Sequence, residues 1–151
     1  MGRRELFLDT TYIMPFFGFD IDVKGFSRSL FKEVIDSLEA VHLSEVSIIE
    51  AKAKSLRIGG DRANIFEKFH EGLSVLRSDD RVVFHEYGVV ADLKFNEFVG
   101  RGLGFFDSVI LAESCAVGVL LTEDSKLLGF RDSGVKILSW KHLVGEIKKG
   151  G

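Results

Sequence analysis

Two acidic residues lie close behind apolar runs that are typical of buried strands. Asp9 comes after the apolar residues 6–8, and Asp124 comes three residues after Leu121, where a second apolar run ends. Short apolar runs of this kind indicate core strands. In an open parallel α/β sheet, ligands bind beyond the carboxyl ends of the strands. We therefore expect both carboxylates at one edge of the sheet.

Two further acids belong to predicted helices. Asp107 begins a predicted helix over 107–117 that is apolar on most of its sides, which is typical of a buried helix. Glu50 follows Val46 by one helical turn and lies beside the apolar stripe of another predicted helix. At about 100° per residue, this places the Glu50 side chain at the border of the core.

Each of these acids also has a simpler explanation. Asp107 could serve simply as a helix N-cap. Asp124 could simply cap the turn that begins at Ser125. Glu50 could pair with Lys54, four residues later, on the helix surface. Asp9 is the hardest to explain in this way, because a carboxylate that ends a core strand is partly removed from water.

Together, the acids favour a metal site. Carboxylates that meet at one sheet edge repel one another, and burial favours their neutral forms. A hard divalent cation relieves both effects, and carboxylate oxygen and water are the ligands that Mg²⁺ and Mn²⁺ prefer. The four histidines show no close metal-ligand spacing and Cys115 is the single cysteine, so a zinc site is not expected.

The elements that must position these acids alternate along the chain. Strands are predicted over 6–8, 41–43, 82–84, 118–121 and 135–138. Helices are predicted over 24–38, 44–57, 61–76, 88–99, 107–117 and 141–148, with one helical turn over 125–129. In the helix over 44–57, we expect Val46, Ile49, Ala53 and Leu56 to face the core. This order predicts an α/β fold with a mostly parallel sheet between two layers of helices.

Length and composition agree with one globular domain over 1–151. The chain has a mass of 16.8 kDa, 46% hydrophobic residues and 28% charged residues. A formal net charge of −3 argues against a nucleic-acid binder driven by overall positive charge. No apolar run approaches the roughly 20 residues of a membrane span. A cytoplasmic protein is the expectation, and the single cysteine agrees with it.

The ordered set of motifs resembles the PIN-domain nucleases. The resemblance is carried by LFLDTT at 6–11, Glu50 on its helix, FDSVILA at 106–112 and LLTED at 120–124, and it spans nearly the whole chain. It implies a three-layer α/β/α sandwich with a mostly parallel sheet of about five strands. It also implies that Asp9, Glu50, Asp107 and Asp124 form one acidic site, with Asp124 favoured over the adjacent Glu123.

The resemblance further implies cleavage of RNA phosphodiester bonds with Mg²⁺ or Mn²⁺ held by the four acids. Thr122 is expected to orient Asp124, and Thr10 or Thr11 to orient Asp9. Three roles are possible: a toxin paired with a small antitoxin protein, an RNA-processing enzyme or a DNA-cleaving enzyme. The resemblance also implies a possible homodimer, because the family is often dimeric.

Basic and aromatic residues near these motifs provide further candidates. Lys54, Arg57 and Arg101 are candidate contacts to the phosphates of a polyanionic substrate, with Arg101 in a glycine-rich loop. The phenylalanines in 16–19 follow Pro15 in a predicted loop. They are expected either to pack beneath that loop or to line a partner surface.

Two other functions remain open from the sequence. A haloacid-dehalogenase-type phosphatase also places an Asp at the end of its first strand, but it normally requires a second Asp where Thr11 stands. A non-catalytic PIN-like module that binds RNA or serves as a scaffold is the other alternative. The complete set of four acids argues against a module that has lost its catalytic activity.

Overall fold

The computed structural model describes residues 4–150. The strands are β1 (Glu5–Leu8), β2 (Ala40–Ser44), β3 (Val82–His85), β4 (Val119–Leu121) and β5 (Lys136–Leu138). The α-helices are α1 (Arg28–Asp36), α2 (Glu45–Ile58), α3 (Arg62–Ser78), α4 (Val89–Gly100), α5 (Phe105–Ser114), α6 (Ser125–Leu128) and α7 (Trp140–Gly150). Two short 3₁₀ helices, Thr10–Tyr12 and Met14–Phe17, follow β1.

The five strands form one sheet in the order β3-β2-β1-β4-β5. Every neighbouring pair is parallel, with Leu6 opposite Val41 in β2 and Phe7 opposite Leu120 in β4. All five carboxyl ends therefore lie at the same edge of the sheet. The predicted parallel sheet of about five strands is confirmed.

Helices cover both faces of the sheet, because successive side chains of a strand point in opposite directions. Leu6 and Leu8 of β1 pack with residues of α1, α2, α3 and α7. Phe7, between them, packs on the opposite face with Phe98 of α4, residues of α5 and Leu127 of α6. The predicted three-layer α/β/α arrangement is confirmed.

N-capping side chains set the starts of α1 and α2. Ser27 accepts a hydrogen bond from the Leu30 N–H, so α1 begins at Arg28 and not near residue 24 as predicted. Ser44 caps α2 as expected, through a bond from the Val46 N–H. α5 begins at Phe105, two residues before the predicted start.

The predicted buried face of α2 is wrong. Of the residues expected in the core, Val46 is half-buried, while Ile49 is 70% exposed, Leu56 is 40% exposed and Ala53 is also exposed. The buried residues of α2 are Ser47, Ile48, Ala51 and Ser55. The Thr10 hydroxyl donates to Ser47 Oγ at 3.0 Å, because small side chains let the helix approach the chain that follows β1. The buried face of α2 therefore consists mainly of small side chains and hydrogen-bonded hydroxyl groups, and not of the predicted apolar stripe.

The phenylalanines after Pro15 belong to the core. Phe17 is buried, and its ring stacks on Phe69 of α3 with centroids 4.0 Å apart. Phe16 and Phe19 pack against the same apolar cluster. Gly72 permits this contact, because a Cβ there would lie 2.5 Å from the Phe16 carbonyl oxygen. Of the two expectations for these side chains, the one that they pack beneath their own segment is therefore confirmed.

Within residues 4–150, none of the helices combines the length and apolar character that a membrane span needs.

Candidate active site

Four elements bring the predicted acids into one pocket at the carboxyl edge of the sheet. Asp9 follows β1, Glu50 lies in the second turn of α2, Asp107 lies in the first turn of α5, and Asp124 follows β4. These four acids line an open pocket of about 310 Å³. The other lining residues are Thr11, Lys54 and Glu123. The structure thus places residues that are up to 115 positions apart in the sequence around one small space.

Thr122 holds Asp9 in place. Its hydroxyl donates to Asp9 Oδ2 at 2.6 Å, while the Thr10 N–H donates to Asp9 Oδ1 at 2.8 Å. The Thr122 oxygen also accepts from the Asp124 N–H at 3.0 Å. One buried hydroxyl therefore connects the ends of β1 and β4. Thr11 lines the pocket, but the bonds that orient Asp9 come from Thr122 and from the Thr10 backbone.

Asp124 is also the N-cap of α6. Its Oδ1 accepts from the Lys126 N–H at 2.9 Å and from the Leu127 N–H at 3.1 Å. The simpler explanation for this residue is therefore confirmed, and it coexists with a place in the pocket. Capping fixes the carboxylate through one oxygen.

Asp107 is not an N-cap, because Gly104 occupies that position of α5. Its carboxyl group borders the other acids instead. Burial raises the pKa of Asp107 to about 6, and the negative charges of Asp124 and Asp9 add to the effect. Lys126 acts in the opposite direction. The simpler explanation for Asp107 is thus wrong, and its environment is one of mutual repulsion between carboxylates.

Burial also raises the pKa of Asp9 above its ordinary value. The hydrogen bonds from Thr122 and Thr10 counteract this effect, and the charges of Glu50 and Lys54 act in opposite directions on it. Lys54 is thus a basic side chain that lines the pocket together with the acids. A group of acids that resist ionisation is a setting in which a bound cation stabilises the charged forms.

The pocket has the donor chemistry for a hard divalent cation, since four carboxylates from separate elements line it. In their present positions, however, no three Asp, Glu, His or Cys side chains among residues 4–150 converge closely enough to hold an ion. The match with Mg²⁺ or Mn²⁺ is therefore one of chemistry and location. Side-chain movement into the pocket would be needed to complete a coordination sphere.

Sequence reasoning missed the role of Glu123. It lines the pocket beside Asp124, and its Oε2 accepts from the Tyr12 hydroxyl at 2.5 Å and from the Trp140 N–H at 2.8 Å. Glu123 thereby joins β4 to the chain after β1 and to the start of α7. Burial and then the bond to Glu123 raise the pKa of Tyr12. The position of Glu123 next to Asp124 was a visible signal, but its two partners were not.

A second missed contact joins the two helices that carry Glu50 and Asp107. The Ser44 hydroxyl, which caps α2, donates to Glu113 Oε2 of α5 at 2.5 Å. Glu113 is only 3% exposed, and burial raises its pKa. The position of α2 relative to α5 therefore depends on a buried polar pair. Glu113 falls in the apolar pattern of α5, so its polarity was the available signal.

The three basic candidates occupy different environments. Lys54 lines the pocket. Arg57 is exposed in the last turn of α2 and is not among the lining residues. Arg101 donates to the carbonyl oxygens of Arg131 and Asp132, and its guanidinium lies 4.4 Å from the Phe130 ring centroid. The structure therefore brings only Lys54 into the pocket.

Solved structures share this architecture. VapBC2 from Rickettsia felis, bound to a DNA fragment from its promoter, matches 90% of this chain and 98% of its own with a TM-score of 0.63. FitAB bound to an IR36 DNA fragment matches 89% and 94% with a TM-score of 0.61. PAE2754 from Pyrobaculum aerophilum matches 97% and 90% with a TM-score of 0.58. The chain has the PIN-domain fold.

This PIN-domain likeness is one of fold. The sequence identities are 15% to VapBC2, 16% to FitAB and 20% to PAE2754. No protein-family model and no curated protein sequence matches the chain. The resemblance seen in the sequence is thus confirmed by the arrangement of the strands and helices.

Proposed function

We propose that this PIN-domain protein is a divalent-metal-dependent endoribonuclease that hydrolyses phosphodiester bonds in RNA. The observation that carries the proposal is the pocket in which Asp9, Glu50, Asp107 and Asp124 meet at the carboxyl edge of the sheet. The pKa of Asp107, which burial raises to about 6 with a further contribution from the charges of Asp124 and Asp9, supports it, because a bound cation would stabilise the ionised carboxylate.

In this proposal, the four acids hold Mg²⁺ or Mn²⁺. When bound, the ion would supply an activated water and would offset negative charge at the reacting phosphate. Thr122 keeps Asp9 directed into the pocket and ties it to the Asp124 backbone. Thr11 and Glu123 complete the polar wall. The chain itself thus supplies an ordered set of oxygens around the reaction centre.

RNA must approach an acidic pocket on a protein of net charge −3. Lys54 is the side chain that we propose to contact a phosphate, because it lies in the pocket wall. Arg57, one turn further along α2, would extend this contact along the strand. Arg101 remains a candidate for a more distant phosphate, although it is held by the carbonyl groups of residues 131 and 132.

We further propose a toxin-type role in the cytoplasm. Two of the structural neighbours, VapBC2 and FitAB, are described in complexes with DNA fragments. By analogy with them, a small antitoxin protein is the proposed partner of this chain. A second copy of the chain is the other partner that the PIN resemblance implies.

The test is cleavage of single-stranded RNA by the purified chain. We expect cleavage with Mn²⁺ or Mg²⁺, no cleavage with EDTA, and a loss of about 100-fold or more in Asp9→Asn and in Asp107→Asn. Asp80→Asn is the matched control, since Asp80 is exposed in the turn before β3. If both pocket variants retain full activity after nuclease contamination is excluded, the proposal is wrong.

Metal binding separates this enzyme from a non-catalytic PIN-like module. That alternative is favoured by one observation, namely that no three potential ligands among residues 4–150 converge as placed. Calorimetry with Mn²⁺ should show binding to the wild type and at least tenfold weaker binding to Asp9→Asn. Equal binding by both proteins would favour the module. A phosphorylated Asp9 trapped on phosphate substrates would instead favour the phosphatase.

A further inference from the structure

Basic side chains concentrate where α2 ends and α3 begins. Residues 52–66 contain four basic side chains and one acidic one, Asp61, in a chain whose net charge is −3. The four are Lys52, Lys54, Arg57 and Arg62. None of them forms an ion pair with an acid among residues 4–150. At the opposite end of the same two helices, by contrast, Arg77 pairs with Glu45 through two bonds of 2.7 Å. Ion pairs within the described chain therefore neutralise one end of this helix pair and not the other.

An exposed aromatic ring lies among these basic side chains. Phe66 of α3 is 47% exposed. The Lys52 ammonium group lies over the Phe66 ring at 5.9 Å from its centroid, and over the buried Phe69 ring at 5.5 Å. An ammonium group over an aromatic ring is a favourable contact, and it leaves nearly half of the Phe66 surface open to solvent. A further flat group can therefore pack on the Phe66 ring.

The outer side of α2 connects this ring to the acidic pocket. Lys54 lines the pocket, whereas Lys52 faces the rings of α3. The two lysines are two residues apart and hence about 200° apart around the helix, so they lie on opposite flanks of α2. Leu56 and Arg57 are exposed on the outer side between them. A polymer that leaves the pocket past Lys54 would thus reach Phe66 after it crosses one helix, a width of about 10 Å.

We propose that this surface binds single-stranded RNA and that one unstacked base packs on the Phe66 ring. The surface consists of Lys52, Leu56, Arg57, Arg62 and Phe66, and we call it the α2–α3 strip. Proteins that bind single strands combine basic side chains along the backbone with aromatic rings on which bases stack. A base inside a duplex is already stacked and cannot reach the ring. The α2–α3 strip therefore selects single-stranded RNA over duplex RNA.

The charge of the α2–α3 strip favours a polyanion over a protein. A second copy of this chain would bring like charges together, and an apolar partner would bury cations that have no counter-charge. A nucleic acid instead releases counterions as its phosphates meet the basic side chains. Asp61, the acid within the segment, already caps α3 through the Ala63 N–H. Further along α3, Glu67 and Glu71 are exposed, so the basic surface ends after Phe66.

This inference rests on the proposed function, because it extends the RNA substrate from the pocket across α2. The two can nevertheless be tested apart, since binding is measured in EDTA and cleavage with Mn²⁺. If RNA binds to the α2–α3 strip and is not cleaved with Mn²⁺, the nuclease proposal fails and the strip stands. If Phe66→Ala binds and cleaves RNA as the wild type does, the strip fails and the nuclease proposal stands.

The experiment measures fluorescence anisotropy of a labelled oligouridylate of about 12 nucleotides with the full chain in EDTA. Phe66→Ala should bind about tenfold more weakly, because the stacking of one base is lost. Phe66→Leu should lose as much, since it keeps an apolar side chain without a ring, while Phe66→Trp should retain wild-type affinity. Val75→Ala is the matched control: Val75 is 65% exposed on α3 but outside the strip, and the affinity should change less than about twofold.

Salt dependence tests the basic part of the strip. Arg57→Gln and Arg62→Gln should each reduce the slope of log affinity against log salt concentration by about 0.7, because each removes one phosphate contact. Lys141→Gln is the matched control, since Lys141 is an exposed basic residue of α7 outside the strip. Its slope should equal that of the wild type. Slopes that are unchanged in both arginine variants would overturn the proposed path.

Phe66→Trp provides a direct signal for stacking and serves as the test if circular dichroism shows that Phe66→Ala is unfolded. Trp140 is the single tryptophan of the wild type and is buried, so the added indole can be followed by its emission. The RNA should quench this emission. An unquenched indole would overturn the proposal, as would a Phe66→Leu variant with wild-type affinity or equal affinity for the same RNA annealed to its complement.

Discussion

The acidic pocket lies beside an apolar face, by which we mean the exposed side chains of Ile49, Val89, Val90, Leu93, Phe105 and Phe106. Both surfaces include residues of α2 and α5. In α2, Ile49 belongs to the apolar face and the next residue, Glu50, lines the pocket. In α5, Phe106 belongs to the apolar face and Asp107 lines the pocket. Successive residues of a helix are rotated by about 100°, so neighbours in the sequence can serve adjoining surfaces. Both surfaces are unfavourable for an isolated chain, one through charge repulsion and the other through exposed apolar area. The comparison shows how one pair of helices can present two incomplete sites.

The two surfaces differ in how their side chains are held. Hydrogen bonds with defined partners hold Asp9, Asp124 and Glu123 of the pocket, such as those from Thr122 to Asp9 and from Tyr12 to Glu123. The apolar face consists of side chains that pack on one another and project into solvent. We therefore expect the pocket to be sensitive to single-atom changes, whereas the apolar face should respond to charge and volume.

The largest of these effects is expected for Thr122→Val. The variant keeps the shape but removes the donor to Asp9 and the acceptor for the Asp124 N–H. Leaving such buried groups unpaired costs about 1–3 kcal/mol of unfolding free energy, measured with urea. The cleavage rate should fall with it, because Asp9 loses its orientation.

Thr11→Val is the control for this variant, since Thr11 also lines the pocket. Its effect on stability should stay within about 0.5 kcal/mol. A Thr11 variant that is more damaging than Thr122→Val would show that the orienting hydroxyl has been assigned to the wrong threonine.

A smaller effect is expected for Lys54→Ala. Lys54 lines the pocket, so we expect the KM for RNA to rise about tenfold, or about 1.4 kcal/mol. Arg101→Ala should change the KM less, because Arg101 is bound to the carbonyl groups of residues 131 and 132. Steady-state kinetics at fixed salt would compare the two. The reverse order would mean that RNA draws Arg101 away from these carbonyl groups.

The smallest effect concerns the pH dependence of stability without metal. The pKa of Asp107 is about 6 in the folded chain against an ordinary 3.8, so folding favours its protonated form. Its stabilising contribution is complete below pH 4 and is lost as pH rises through 6. A shift of about two pKa units would correspond to about 3 kcal/mol in full burial, and partial exposure reduces this to about 1 kcal/mol.

Urea unfolding in EDTA at several pH values would measure this loss. Asp107→Asn should remove most of it, while Asp9, whose pKa is also raised, should retain part of the slope. Leu93→Ala, on the apolar face, should keep the wild-type pH dependence. A slope unchanged in Asp107→Asn would show that the pKa of Asp107 is not raised in the folded chain.

The helical period predicted that α2 exists but selected the wrong face for burial. Val46, Ile49, Ala53 and Leu56 lie on one side of α2, yet Ile49, Ala53 and Leu56 are exposed and Val46 is half-buried. Periodicity identifies the apolar side of a helix and not what covers it. Here the core accepted small residues such as Ser47, because the 3₁₀ segment after β1 approaches closely.

The sequence by itself determined the order of strands and helices, the parallel sheet and the four acids that line the pocket. These follow from patterns within short windows, since strand ends, helix period and caps are local properties. Only the tertiary structure decided that Thr122 holds Asp9, that Glu123 bonds to Tyr12, and that Arg101 points to other carbonyl groups. Those contacts join residues from 31 to 113 positions apart, and packing of the whole chain decides which distant groups meet.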